Sequence, residues 1–398
     1  MKFIEGGVTA ADGYVAAGCH CGIKSDSDVK DLALVFSERP ATVAGVFTRN
    51  RMASACVTVS KKVVEKGSAR AIVINSGCAN TCTGAEGQRN AEEMARTAAD
   101  KLDISPEEVV VASTGVIGAQ LPVVKVCEGI EKLASELSRE GGSDAAVGIL
   151  TTDTRAKEVA VRLDLSTGPV TIGGMAKGAG MIMPNMATML AFVTTDAAVD
   201  KESLQSALGD AVNRSFNRIS IDGDSSTNDM VVVLANGDSA NPLRGKDVEA
   251  FEVGLALVCL KLALMIVEDG EGATKLVEIR VTGARDDVDA ERAARTIGTS
   301  LLFKTALFGE DPNWGRIMMA IGMSGAAVEP DRVAVLLDDL QLVSGGVGTG
   351  YSEEDARALL AKKEISITVD LGMGPGETRF WTTDLSYDYI KINAEYHT

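Results

Sequence analysis

Histidine is scarce in this chain: of 398 residues only His20 and His397 carry an imidazole. A Ser-His-Asp triad or a histidine-rich metal centre would have to be built on one of these two. Positive charge is short as well, with 39 Lys and Arg against 56 Asp and Glu and a net charge of −17. So acidic a chain repels nucleic acid and anionic membrane, and neither is expected as a partner. No apolar core of a signal peptide opens the sequence. The longest apolar run lies within residues 253–267 and is broken by Lys261. It is too short to span a bilayer and reads as a buried helix. The seven cysteines are odd in number and irregularly spaced, which fits a reducing compartment better than a disulfide framework. Cys19-His20-Cys21 with Cys78 and Cys82 could offer four ligands, but Cys-x-Cys spacing suits zinc poorly. Buried thiols and no metal are the expectation, in a soluble cytoplasmic protein.

What the chain does have is length, apolar residues and glycine. Its 41.5 kDa imply two or three domains, and its 45% hydrophobic content is that of an ordinary globular protein. Runs rich in Val and Ile, bounded by Gly, Asp, Asn or Ser, predict strands at residues 32–36, 56–60, 71–75, 109–112 and 159–163. Further strands are predicted at 188–194, 230–234, 277–281, 333–337 and 365–369. Helical periodicity covers 91–102, 124–137, 201–213, 248–267 and 353–361. The pattern is mixed α/β, with a domain boundary near 275–285 where a long apolar helix ends in Glu268-Asp269-Gly270-Glu271-Gly272. The 41 glycines suggest tight turns or backbone that approaches a ligand.

Short motifs mostly fail. The run from Asp222 to Asp229 starts like a calcium loop but has Thr227 where an EF-hand needs Gly and Val233 where it needs Glu. There is no Walker loop, and the glycine runs at 346–350 and 372–376 are not GxGxxG. The densest unusual segment is Gly173-Gly174-Met175-Ala176-Lys177-Gly178-Ala179-Gly180, followed by an apolar run interrupted by Thr188. An ordinary glycine turn before a core strand would read the same way.

Residues 171–195, however, resemble the signature of the ornithine acetyltransferases, also called glutamate N-acetyltransferases. Blocks similar to the same family are Asn75–Asn80, Ser113–Gly118, Thr151–Thr154, Asn217–Asp229, Glu268–Lys275, Lys304–Ile317 and Asn393–Thr398. They run from end to end of the chain in the family's order. The resemblance implies a layered α-β-β-α sandwich-type N-terminal domain with a smaller C-terminal α/β domain, here residues 1–280 and 281–398. It also implies autocatalytic cleavage between Ala187 and Thr188, giving an α segment 1–187 and a β segment 188–398 that assemble as α2β2. A threonine hydroxyl needs a base, and a new N-terminal amine with a pKa near 7.7–8 supplies one without histidine.

By the same resemblance Thr188 is the nucleophile, and Thr114 with Gly115 is the oxyanion-hole pair. Thr151 or Thr152, Lys177, Glu271, Asn393 and Thr398 touch substrate. One cation and one anion in the pocket suit an amino acid with a carboxylate and a second ammonium. The implied reaction moves an acetyl group from N2-acetyl-L-ornithine to L-glutamate without a cofactor, with acetyl-CoA an additional donor in some relatives. The segment Cys19-His20-Cys21 has no part in this scheme.

Overall fold

The structure, a computed structural model, describes residues 1–183, 189–238 and 242–395. Contacts divide the chain into two units, Met1–Asn217 with Asp224–Ile266, and Arg218–Gly223 with the chain from Val267 on. Each is built of strands and helices, as the mixed α/β pattern predicts.

The first unit is organised by one nine-stranded sheet. Its strand order is Lys2–Ile4, Lys157–Leu165, Gly168–Lys177, Leu190–Thr195, Met230–Ala235, Leu32–Phe47, Ser68–Cys78 and Val109–Val116. The ninth strand, Tyr14–Cys19, shares an edge with Met230–Ala235. The first pairs with residues 32–37 of the long strand and the second with residues 42–47. Leu190–Thr195 and Met230–Ala235 run parallel, with Leu190 opposite Met230, and are buried throughout. Near-continuous apolar runs are what two covered faces require. Ile72, Ile74, Val110 and Ala112 share one core with Phe192 and Val232. The alternate residues Val73, Val109 and Val111 pack on the other face with Met94 of helix Gly84–Leu102 and Ile130 of helix Val123–Glu136.

Two expectations are corrected here. Residues 56–60, expected as a strand, belong to helix Ala55–Lys66. Ser54 accepts the Cys56 N–H at its start, and Gly67, at φ +87°, returns its N–H to the Val63 carbonyl at its end. Cys56, Val57, Ser60, Val63 and Val64 are its buried stripe, a spacing longer than the five-residue window that suggested a strand. The apolar run expected to be too short for a bilayer lies in the 23-residue helix Lys246–Glu268, which is long and apolar enough to cross one by length and composition. It is a core helix nonetheless. Phe251, Leu255, Val258, Cys259 and Leu262 are buried, and a Cβ on Gly254 would meet Leu163 and Ile172 of the sheet.

The second unit has a seven-stranded sheet in the order Val347–Gly348, Leu340–Ser344, Ala334–Leu337, Glu364–Asp370, Leu276–Ala284, Gly376–Thr383 and Ile219–Ser220. Val277, Ile279 and Val281 pack with Ala290, Ala293 and Ile297 of helix Asp287–Gly298. That helix is capped by Asp286, whose side chain accepts the Asp289 N–H.

Candidate active site

The C-terminal end of strand Val109–Val116 carries Thr114 and Gly115, paired with Ser76 and Gly77 of the parallel neighbour. Gly115 sits at φ +130°, and a Cβ there would lie 2.3 Å from the Gly77 carbonyl carbon. Only glycine fits, because both the backbone angle and the approach exclude a side chain.

Lys177 ends strand Gly168–Lys177 and stands opposite Leu190. Its Nζ donates to the Thr151 hydroxyl at 2.7 Å and the Thr114 hydroxyl at 3.3 Å, and lies 3.9 Å from Asp153 Oδ2. An ammonium only donates, so both hydroxyl oxygens accept from it, and the single O–H of Thr114 is left to point elsewhere. Thr151, Lys177, Thr114 and Gly115 are thus brought together. Thr152 has no hydrogen bond among the described residues, so Thr151 is the one engaged with Lys177.

Asp153 underlies this group, and its side chain has no exposed surface. It takes the Lys157 ammonium at 2.7 Å, the Gly178 N–H at 2.6 Å and the Thr151 N–H at 3.1 Å. Burial by itself would raise its pKa. The Lys177 and Lys157 charges, with hydrogen bonds from Lys157 and Gly178, bring it down to about 2. Asp229 shows the opposite balance. Its burial is complete, its Oδ2 has no partner among the described residues, and burial raises its pKa well above the usual carboxylate range against the pull of Ser226 and Lys177.

A buried polar chain fixes Ser113, the residue before Thr114. Cys56 Sγ lies 3.0 Å from Ser113 Oγ, which donates to Asn75 Oδ1 at 2.5 Å, and Asn75 Nδ2 donates to the Cys78 carbonyl at 2.9 Å. Asn228 Nδ2 donates to the Ala79 and Ser113 carbonyls at 2.6 and 2.8 Å, while its Oδ1 accepts from Thr81 and Thr227. Every polar position of the Asn228 amide is used, which holds three remote segments in register. The sequence alone assigns no role to Asp153, Asp229, Asn75 or Asn228. The signal it does carry is the density of small polar residues in the blocks around 75–80, 151–154 and 225–229.

Glu271 and Asn393 belong to the second unit and meet there. Asn393 Nδ2 donates to Glu271 Oε2 at 2.8 Å and to the Tyr389 carbonyl at 3.0 Å. The Glu271 turn is tied down by Ser386, which donates to the Gly272 carbonyl at 2.6 Å, and by Asp384, which takes the Thr274 N–H and hydroxyl. Ala187, Thr188 and Thr398 lie outside the described residues. Among the described residues no three His, Cys, Asp or Glu side chains gather in a way that could hold a metal. Burial pushes the Cys19 and Cys56 thiols up to about 11, which keeps them protonated at neutral pH.

Comparison with known proteins places the chain in a family. A profile of the ArgJ family matches residues 15–398. The arginine biosynthesis bifunctional protein ArgJ of Symbiobacterium thermophilum is 52% identical over 402 residues, covering the whole of both chains. That of Geobacter sulfurreducens is 49% identical over 377 residues, 92% of this chain and 95% of its own. Among solved structures, the bifunctional protein ArgJ of Bacillus halodurans is 46% identical with a TM-score of 0.51, covering 52% of this chain and 100% of its own. The ornithine acetyltransferase of Mycobacterium tuberculosis, complexed with ornithine, is 42% identical with a TM-score of 0.44, covering 47% and 99%.

Proposed function

Because the chain belongs to the ArgJ family, we propose that it is a self-cleaving cytoplasmic acetyltransferase of arginine biosynthesis that moves an acetyl group from N2-acetyl-L-ornithine to L-glutamate. The observation that carries this reading is the Lys177 ammonium bridging the hydroxyls of Thr114 and Thr151 beside Gly115. Because Lys177 donates to Thr114 Oγ1, the Thr114 O–H, polarised by that charge, is left to donate to an oxyanion together with the Gly115 N–H. Removal of one such donor raises a barrier by about 2.7–4 kcal/mol.

Thr188 Oγ first attacks the Ala187 carbonyl, the carbon–nitrogen bond breaks to leave an ester, and water hydrolyses that ester to an Ala187 carboxylate, so that the freed α-amine of Thr188 serves the hydroxyl of the same residue as base. Thr188 Oγ then attacks the acetyl carbonyl, its proton passes to the α-amine, and the negative oxygen is held by Thr114 and Gly115. The carbon–nitrogen bond breaks as the amine returns the proton to the departing ornithine. The neutral α-amine of glutamate attacks the acetyl-Thr188 ester, giving N-acetylglutamate and the free hydroxyl. One amide replaces another, so neither metal nor ATP is needed. Glu271 meets the δ-ammonium of the donor, and Asn393 and Thr398 also contact substrate. Two cleaved copies assemble as α2β2, and acetyl-CoA serves as an additional donor, in keeping with the bifunctional names of the relatives. The length of the Bacillus halodurans chain supports cleavage. It is matched over its full length yet covers 52% of this chain, close to the share of segment 188–398 in 398 residues.

Denaturing mass analysis tests the first step. Scaling 41.5 kDa by 187 of 398 residues gives fragments of about 19.5 and 22 kDa. N2-acetylornithine alone should add one acetyl group to the larger fragment, and glutamate should remove it with parallel double-reciprocal lines. An intact 41.5 kDa chain, or acetyl release to water independent of glutamate, would overturn the reading.

A further inference from the structure

The segment from Cys19 to Lys30 has no part in the scheme above, yet it is a built element. It is a strap wound on one carboxylate. Asp31 is fully buried and accepts the N–H groups of Cys21 at 2.6 Å, Ile23 at 2.8 Å and Lys24 at 3.0 Å. His20 Nδ1 donates to the Val29 carbonyl at 2.9 Å and lies 3.4 Å from Asp31 Oδ2. Burial would raise the Asp31 pKa, but these N–H groups outweigh it and lower the value, so the anchor stays ionised.

The strap is laid against the oxyanion-hole strands. A Cβ on Gly77 would meet Ile23 Cγ2 at 2.9 Å and Lys24 Cγ at 3.2 Å, and Gly77 is the partner of Gly115. The stem of Lys24 therefore lies one glycine away from Gly115. Its Nζ donates to the Leu150 carbonyl at 2.7 Å and to the Lys30 carbonyl at 3.0 Å. Leu150 immediately precedes Thr151. Lys24 is half-buried, and the charges of Asp31, Lys177 and Asp153 act on its ammonium. An ammonium has three donors, and two of them are engaged by carbonyls among the described residues. The third is left for a ligand, on a cation held at the Leu150–Thr151 peptide.

We propose that Lys24 determines specificity for an amino-acid donor by binding its α-carboxylate through this third N–H. The proposal rests on the reading of the site as an acetylornithine transferase. The strap then has a purpose: Asp31 and the Cys19-His20-Cys21 turn hold Lys24 where a carboxylate is met by a prepositioned charge.

The test uses the full-length, self-processed enzyme with N2-acetylornithine, glutamate being saturating. K24M and K24Q should each raise KM at least about tenfold, the worth of one charge-assisted hydrogen bond, with kcat near the wild-type value. K24R should recover most of the affinity. Gln carries an N–H but no charge, so K24Q with wild-type KM would reduce Lys24 to a structural pin and overturn the proposal. A loss confined to kcat would do the same. If the wild-type enzyme transfers no acetyl group, the functional reading falls instead. Calorimetric titration of L-ornithine into wild type and K24Q then decides the role of Lys24 by itself, equal affinities counting against it.

Discussion

Asp153 joins Lys157, Gly178 and Thr151 through a single carboxylate, and its charge is the reason Lys157 can be buried without exposed surface. Removal of one partner of such a pair leaves the other charge uncompensated and costs about 3–5 kcal/mol. D153N should lower stability by that amount in urea unfolding at pH 7. The pH dependence has a definite sign. The folded pKa, about 2, is below the unfolded value of about 3.9. The contribution is therefore present above the unfolded value and is lost as pH falls toward 2. The gap between wild type and D153N should be equal at pH 7 and pH 5 and close only below about pH 4. A gap under about 1 kcal/mol at pH 7 would mean that the pair is no stronger than a surface ion pair. At this scale the sequence is partly legible. Thr114, Thr151 and Lys177 stand in blocks that resemble a family, and they do meet. Asn228 sits inside such a block without a legible role, because its side-chain hydrogen bonds go to residues more than a hundred positions away, apart from the bond with adjacent Thr227.

Elements with strong local signals are the legible ones. Periodicity predicts helix Lys201–Asn213 to the residue, since Leu204, Ala207, Leu208, Ala211 and Val212 recur at helical spacing, and the structure adds Asp200 as its cap. Helix Asp287–Gly298 escapes the same reading because its buried face is mostly alanine, Ala290, Ala293 and Ala294, which gives little apolar contrast. Strand Gly168–Lys177 escapes it because its Gly173-Gly174 pair reads as a turn. There the backbone needs the space, for a Cβ on Gly173 would lie 2.0 Å from the Gly7 carbonyl oxygen. Two glycines in regular elements should answer oppositely to alanine. Gly115 is at φ +130° against the Gly77 carbonyl carbon, so G115A should spread the strand pair and abolish acetyl-enzyme formation. Gly209 lies inside helix Lys201–Asn213, and an alanine methyl there would have nothing within 4 Å. G209A should add about 0.5–1 kcal/mol in urea unfolding and leave transfer unchanged. Normal acetyl-enzyme formation in G115A would remove that glycine from the site.

At the scale of the whole chain, the proposed cleavage between residues 187 and 188 has a consequence that the sheet order dictates. Strands Leu190–Thr195 and Met230–Ala235 would belong to the second fragment, yet they lie in the middle of the nine-stranded sheet. Leu190–Thr195 is paired along its length with Gly168–Lys177 of the first fragment, and Met230–Ala235 with residues 42–47 of the first. Both central strands are buried on both faces, and exposure of each Val, Leu, Met or Phe there costs about 1.5–3 kcal/mol. Neither fragment can leave without opening the sheet on two edges and stripping its core. The two fragments seen under denaturing conditions should therefore co-elute as one species on native size exclusion. They should part in urea only within the transition that unfolds the first unit. Their separation at lower urea, with circular dichroism still native, would show that the sheet does not bind the fragments as its strand order requires. On the same proposal, the interleaving lets a cut chain keep its site. Thr114, Thr151 and Lys177 come from the first fragment, while Asn228 of the second holds the Ser113 carbonyl beside them. On that proposal, cleavage leaves the strand pairings of the nine-stranded sheet as they are.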